Sequence, residues 1–166
     1  MDVHKAARDP WVWGQLLLIL LVIGLPVLRD LVGGSELLSR LLHRTDNGTR
    51  LIALMPLLAG FAIGVWGAVS LGPNLTPGTE PLAEGRLVEG GAYRLVRHPV
   101  YLGLILVLWG LGWWLANAVL GLAVAILAGG FFDRKAAVEE RWMRQRFPSY
   151  EAYTTRVPKL IPHLPI

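Results

Sequence analysis

Three long stretches of this chain carry no Asp, Glu, Lys or Arg: residues 11–28, 51–72 and 99–132. Between them charge returns in short segments, so apolar and polar stretches alternate along the sequence. The first run, 18 residues long, opens on Trp11 and Trp13, amphipathic side chains that suit a membrane boundary. Gly24 and Pro26 are expected to bend its end. The second, 22 residues from Leu51 to Gly72, is long enough to cross a hydrocarbon layer of about 30 Å at about 1.5 Å per residue. Along it Gly60, Gly64 and Gly67 read as a small-residue seam that lets helices approach closely. The third run, of 34 residues, would extend about 50 Å as one helix, too far for a single crossing. A tight hairpin of two helices is therefore expected, turning near Trp113, Trp114 and Asn117.

The intervening segments fill in the architecture. "SELLSRLLHR" places Leu37, Leu38, Leu41 and Leu42 on one face of a short amphipathic helix suited to the interface. "TDNG" reads as a turn through Asn47 and Gly48. Pro73, Pro77 and Pro81 then break the second helix, and Pro99 marks a helix start with His98 at its mouth. "DRKAAVEERWMRQRF", residues 133–147, continues the last helix beyond the apolar run. At 100° per residue it carries Ala136, Glu140, Met143 and Phe147 on one face. The pattern predicts an all-α polytopic membrane protein with about four transmembrane helices, an interfacial helix and a cytosolic C-terminal helix. It forms one domain, 1–166, with 1–72 supplying the N-terminal spans and 73–166 the functional core.

Composition agrees with this picture: only 17% of the 166 residues are charged and 54% are hydrophobic. With no cysteine, disulfides, thiolate nucleophiles and zinc–thiolate sites are excluded. The net charge of +4 is scattered between apolar runs instead of forming one basic face, so anionic lipid headgroups are the expected partner and nucleic acid is not. Four spans put twelve of the sixteen Lys and Arg residues on one side, which the positive-inside bias assigns to the cytosol together with both termini. No small-residue cleavage pattern follows the first run, and no removable signal peptide is expected. A bacterial or archaeal inner membrane or an ER-like membrane suits such a chain.

The polar chemistry concentrates in "GAYRLVRHPVYLG", residues 91–103, where Tyr93, Arg94, Arg97, His98 and Tyr101 crowd against the third apolar run. On spacing alone this is equally a snorkelling basic flank with interfacial tyrosines. A second concentration lies at Glu139 and Glu140. Glu139 has Lys135 four residues earlier as an ion-pair partner. Glu140 is an acid on an otherwise apolar stripe, and besides Arg144 at i+4 a bound cation would supply the partner it needs.

"RHPVYLG" matches an Arg-His-Pro-x-Tyr-x-Gly motif, and "FFDRKAAVEERWMRQRFPSYEAYTTRVPKLIP" repeats a second signature of paired Glu, Phe, two tyrosines three apart and Val-Pro. Over residues from about 70 to 163 the chain thus resembles the integral-membrane methyltransferases that include isoprenylcysteine carboxyl methyltransferase and the phospholipid methyltransferases. Pro148 stands where many members have Gly. The resemblance implies S-adenosylmethionine as cofactor, held at the cytosolic face, and a lipidic or prenylated acceptor reached from the bilayer; no metal is implied. It casts Arg97, His98 and the helix-mouth amides toward the cofactor's carboxylate, and Glu139 or Glu140 toward a cationic or N–H group. Tyr93, Tyr101 and Gly103 would line the pocket, and the C-terminal segment would fold back with Tyr150, Tyr153 and Val157 over the adenine. A carboxylate acceptor, as in isoprenylcysteine O-methylation, needs no general base, and Arg156 or Arg94 would orient it; an amine acceptor calls on His98 or a glutamate as base. Two other readings stand beside this one. A sterol-reductase-like membrane enzyme would bind NADPH through Arg141, Arg144 and Arg146, and a non-catalytic membrane adaptor would use the basic tail for headgroups.

Overall fold

The computed structural model describes residues 8–31, 46–82 and 84–162, and every regular element among them is helical. Helix α1, Pro10–Ile23, starts where the chain provides both a cap and a preset φ. Asp9 accepts from the Trp11 N–H at 2.9 Å and Pro10 occupies the first turn. It stops at Gly24, and a short helix α2, Leu25–Leu31, follows. The first apolar run is thus divided where Gly24 and Pro26 predict a bend. Helix α3, Asn47–Leu71, begins earlier than expected, because the Asp46 carboxylate accepts from the N–H groups of Gly48 (2.9 Å) and Thr49 (3.0 Å). That cap draws Asn47 and Gly48 into the first helical turn, which corrects the turn expected there. The interfacial helix expected at 35–44 lies outside the described residues.

Helix α4, Pro99–Leu115, and helix α5, Ala118–Arg146, form the expected hairpin, with only Ala116 and Asn117 between them. Asn117 closes it by accepting from the Leu120 N–H at 2.9 Å. Helix α5 passes Asp133 unbroken, so its apolar and charged halves share one axis. A last helix, α6, spans Tyr150–Arg156.

Helices α3 and α4 lie antiparallel along a small-residue seam. Gly67 meets Pro99 and Val100, Gly60 meets Gly103 and Leu106, and Leu57 meets Gly110. A Cβ on Gly103 would stand 2.6 Å from the Gly64 Cα and 2.7 Å from the Gly60 carbonyl oxygen, a crossing that only glycine permits. Helix α5 returns along α4, with Gly121 against Trp113, and α1 covers the hairpin with Gly14 and Trp11 on Phe131. The core so formed contains Val22, Leu108, Val124, Ala128 and Phe132.

The long helices α1, α3, α4 and α5 alternate in direction, which brings Asp9, residues 72–98 and the charged half of α5 to one end of the bundle. Its outer faces are apolar, with Leu17, Leu20, Phe61, Val69 and Ile126 all well exposed. Among the described residues one helix, Asn47–Asn74, is long and apolar enough to cross a membrane, and Pro10–Ile23 and Pro99–Leu115 are apolar but shorter.

Candidate functional site

At the polar end of the bundle α3 is followed by a 3₁₀ turn, Gly72–Asn74, after which the described residues are irregular until Gly91. There a positive φ of 61° starts a single 3₁₀ turn, Gly91–Arg94, which Ser70 anchors by accepting from the Ala92 N–H at 3.2 Å. The turn carries Tyr93 inward, where it is buried. Arg97 and His98 then run beside the returning C-terminal chain, the Arg97 N–H donating to the Pro158 carbonyl (2.8 Å) and the His98 N–H to that of Lys159 (3.1 Å). The expected fold-back is therefore present: α6 and residues 157–159 close over the start of α4. Tyr153 secures it by donating its hydroxyl to the Tyr93 carbonyl at 2.7 Å.

Arg97 is the rivet of this closure. Its Nε and Nη2 bind Glu140 Oε1 at 3.0 and 2.9 Å, and Nη1 donates to the carbonyls of Val157 (2.6 Å) and Thr154 (3.1 Å). At most one of its five N–H groups is left over. Glu140, 5% exposed, takes His98 Nε2 at 3.2 Å through the same oxygen, with Arg144 at 3.6 Å on the other. The partner expected from a bound cation is thus supplied by the chain itself. Burial would raise the Glu140 pKa, but the hydrogen bond and charge of His98 and then Arg97 outweigh it and hold the carboxyl at about 2.

His98 sits between the two glutamates, with Nδ1 3.5 Å from Glu139. Burial opposes its charging, yet the hydrogen bonds and charges of Glu139 and Glu140 prevail and its pKa is raised. Its ring stacks on Tyr101 (centroids 5.4 Å apart, planes 1° from parallel), and Tyr101 stacks in turn on Phe132 at 5.0 Å. The Tyr101 hydroxyl donates to Glu139. Glu139 therefore belongs to the His98 cluster and not to a surface pair with Lys135, whose ammonium is buried on Gln15 and the Pro77 carbonyl.

A cavity opens beside this cluster. Its polar wall carries Arg97, His98, Tyr101 and Glu139, its aromatic wall Tyr93, Tyr150 and Tyr153, and the irregular 73–90 segment roofs it with Leu75, Thr79, Leu82 and Leu87. Burial pushes the phenols of Tyr93, Tyr150 and Tyr153 up, so they are neutral donors at any ordinary pH. Four sequence-predicted residues stand elsewhere. Gly103 faces Gly60 and Gly64 of α3, because two residues along a helix turn it about 200° from Tyr101. Val157 lines an outer groove with Thr154 and Pro158. Arg156, largely exposed, pairs with Glu89 at 2.9 Å outside the cavity. Glu140 lies behind Arg97 and His98, off the cavity wall, where Glu139 stands on it. The sequence reasoning missed the roof, including Arg86 on its lining; an irregular segment has no periodicity to reveal it.

A carboxylate, a clamped histidine and an aromatic wall thus meet at the polar end of an apolar helical hairpin. Residues 49–149 match the phospholipid methyltransferase family, and the chain belongs to it. It is also similar to curated proteins: 34% identical over 80 residues to protein-S-isoprenylcysteine O-methyltransferase B of Arabidopsis thaliana, covering 46% of this chain and 40% of that one. It is 38% identical over 82 residues to protein-S-isoprenylcysteine O-methyltransferase of Schizosaccharomyces pombe, covering 48% and 34%. A third similarity, 34% over 82 residues and covering 47% and 36%, is to the cobalt-zinc-cadmium resistance protein CzcN of Cupriavidus metallidurans. The matched stretch spans less than half the length of each of these relatives.

Proposed function

We propose that this protein methylates a lipophilic acceptor, with S-adenosylmethionine as donor in the cavity beneath the 73–90 segment. The observation that carries the reading is the convergence on one cavity of the two motif segments, His98 and Tyr101 from one and Glu139, Tyr150 and Tyr153 from the other. The wall's chemistry fits that cofactor: a carboxylate for an ammonium, aromatic faces for a purine, and apolar surface for the rest. When bound, the cofactor supplies an electrophilic methyl group on a sulfonium, displaced in line by the acceptor.

The chain's own residues then divide the work. Glu139, fixed by Tyr101 and His98, holds the donor's ammonium. Tyr93, Tyr150 and Tyr153 enclose the base. Arg97 and Glu140 lock the C-terminal strap in place, and positioning of this kind supplies much of the rate in a displacement that needs no covalent help. His98 has both ring nitrogens directed at carboxylates, so neither is turned toward an acceptor's proton. This favours an acceptor that needs no base, a carboxylate, over an amine. The names of the plant and yeast relatives support the same choice and suggest an isoprenylcysteine-like O-methylation. Arg86 takes the orienting role first given to Arg156 and Arg94, since of these three only Arg86 lines the cavity.

The alternating helix directions and the apolar outer faces support a membrane location with four spans, α1, α3, α4 and the apolar half of α5. The cofactor site and both termini then face the cytosol. Calorimetry of the detergent-purified protein with S-adenosylhomocysteine and NADPH, followed by transfer of labelled methyl to prenylcysteine, phospholipid and isoprenoid-acid acceptors, tests the reading. Binding of S-adenosylhomocysteine and labelling of prenylcysteine are expected. NADPH binding without S-adenosylhomocysteine binding would replace the reading with a reductase, and binding of neither with an adaptor.

A further inference from the structure

We propose that Asp9, Gln15 and Lys135 are positioning residues that pin the 73–90 segment as the roof of the donor cavity, which makes helix α1 part of the active site. The inference rests on the donor-site reading above. Among its described residues the roof has no helix or strand ladder to hold it between Leu75 and Gly90, and its three prolines cannot donate backbone hydrogen bonds. Its position must come from tethers, and two of them are side chains from other elements, the half-buried Asp9 and the buried Lys135. One oxygen of Asp9 caps α1; the other accepts from both the N–H (2.7 Å) and the hydroxyl (2.8 Å) of Thr79, itself buried and on the cavity lining. Lys135, 1% exposed, donates to Gln15 of α1 (2.9 Å) and to the Pro77 carbonyl (3.1 Å).

A buried ammonium is costly unless its donors are met. Here they are met by a glutamine, a backbone carbonyl and the face of Tyr101, whose centroid is 5.2 Å away. The same cation therefore touches α1, the roof and the ring that stacks on His98, so a shift of the roof is felt at the cluster. This tie lies partly outside the family match, which begins at residue 49, so α1 adds to the site something the matched region does not contain.

The test uses the full-length protein in detergent, with S-adenosylhomocysteine affinity, donor KM and kcat, and thermal midpoint read together. Thr79→Val removes the hydroxyl tether, and Asp9→Asn places an NH₂ group where an oxygen now accepts. Each is expected to weaken S-adenosylhomocysteine binding and raise donor KM by about tenfold, the scale of one hydrogen bond to a charged group. kcat at saturating donor and the thermal midpoint should move much less. Thr79→Ser should restore most of the affinity, and the Asp9→Asn/Thr79→Val pair should be no worse than the weaker single variant. Lys135→Met should show the same KM-weighted loss; if it fails to fold, the Thr79 series still decides. Wild-type affinity in Thr79→Val and Asp9→Asn, or additive losses in the pair, overturns the pin while leaving the donor site standing. A wild-type protein that binds no S-adenosylhomocysteine removes the donor-site reading and the pin with it.

Discussion

Glu140→Gln removes one charge at the point where α5 is tied to residues 97 and 98, while keeping the side chain's volume. The carboxylate is 5% exposed, and its Oε1 receives Arg97 at 2.9 and 3.0 Å and His98 at 3.2 Å. Two routes give the size of the loss. Lowering a carboxyl from 4.5 to about 2 corresponds to roughly 3 kcal/mol, at about 1.4 kcal/mol for each factor of ten. Removing one partner of a buried pair costs about 3–5 kcal/mol, because the other charge is left uncompensated. The glutamine keeps one acceptor, so the lower figure of about 3 kcal/mol applies. For a chain of this length that lowers the thermal midpoint by roughly 6–12 °C. Tryptophan fluorescence on heating in detergent measures it, and the Arg97→Met single and the Arg97→Met/Glu140→Gln double complete the cycle. The double should be no less stable than the worse single, since each single already breaks the joint. A midpoint in Glu140→Gln indistinguishable from wild type, or additive losses in the double, would refute the buried-rivet account.

Stability should also depend on pH on both sides. The depressed Glu140 contributes fully above 4.5 and its share is lost as pH falls toward 2, whereas the raised His98 contributes fully below 6.5 and its share is lost as pH rises past its folded value. Thermal midpoints across pH should therefore peak between those values, and His98→Gln should flatten the alkaline limb; an unchanged limb would sink the assignment. Gly103→Ala forces a Cβ onto the backbone of Gly60 and Gly64 and should destabilise by about 1–3 kcal/mol. Gly129→Ala meets nothing within 4 Å and should be neutral or stabilising by up to about 1 kcal/mol, so equal melting shifts for the two would contradict the seam. Arg86→Met should raise the acceptor KM about tenfold with donor affinity unchanged in a steady-state assay; a change in donor affinity alone would move Arg86 to the other half of the site.

Much of the frame was legible because its signals are local. Pro99 fixes a helix start through its own φ, the length of the 99–132 run forces a hairpin, and glycines spaced along residues 60–67 announce a close crossing. The partner of Glu140 was not legible. Helical phase shows that this acid points inward, but nothing in the spacing says that Arg97, 43 residues earlier, stands opposite. A tie such as Asp9 to Thr79 joins positions 70 residues apart through an irregular segment with no period to read.

Helical phase, applied to the motifs themselves, separates two jobs that the motif as a string runs together. Tyr101 and Gly103 lie about 200° apart on α4, so one faces the cavity and the other the α3 seam. Glu139 and Glu140 lie about 100° apart on α5, which puts the first on the cavity wall and the second behind it on Arg97. Gly103 and Glu140 therefore build the joint between α3, α4, α5 and the C-terminal strap, Tyr101 and Glu139 face what the joint encloses, and Arg97 and His98 belong to both. Substitutions in the first group should lower activity only through stability. Those in the second should lower it at an unchanged melting temperature, and a variant such as Tyr101→Phe, which keeps the ring stack and removes only the donor to Glu139, separates the two most cleanly.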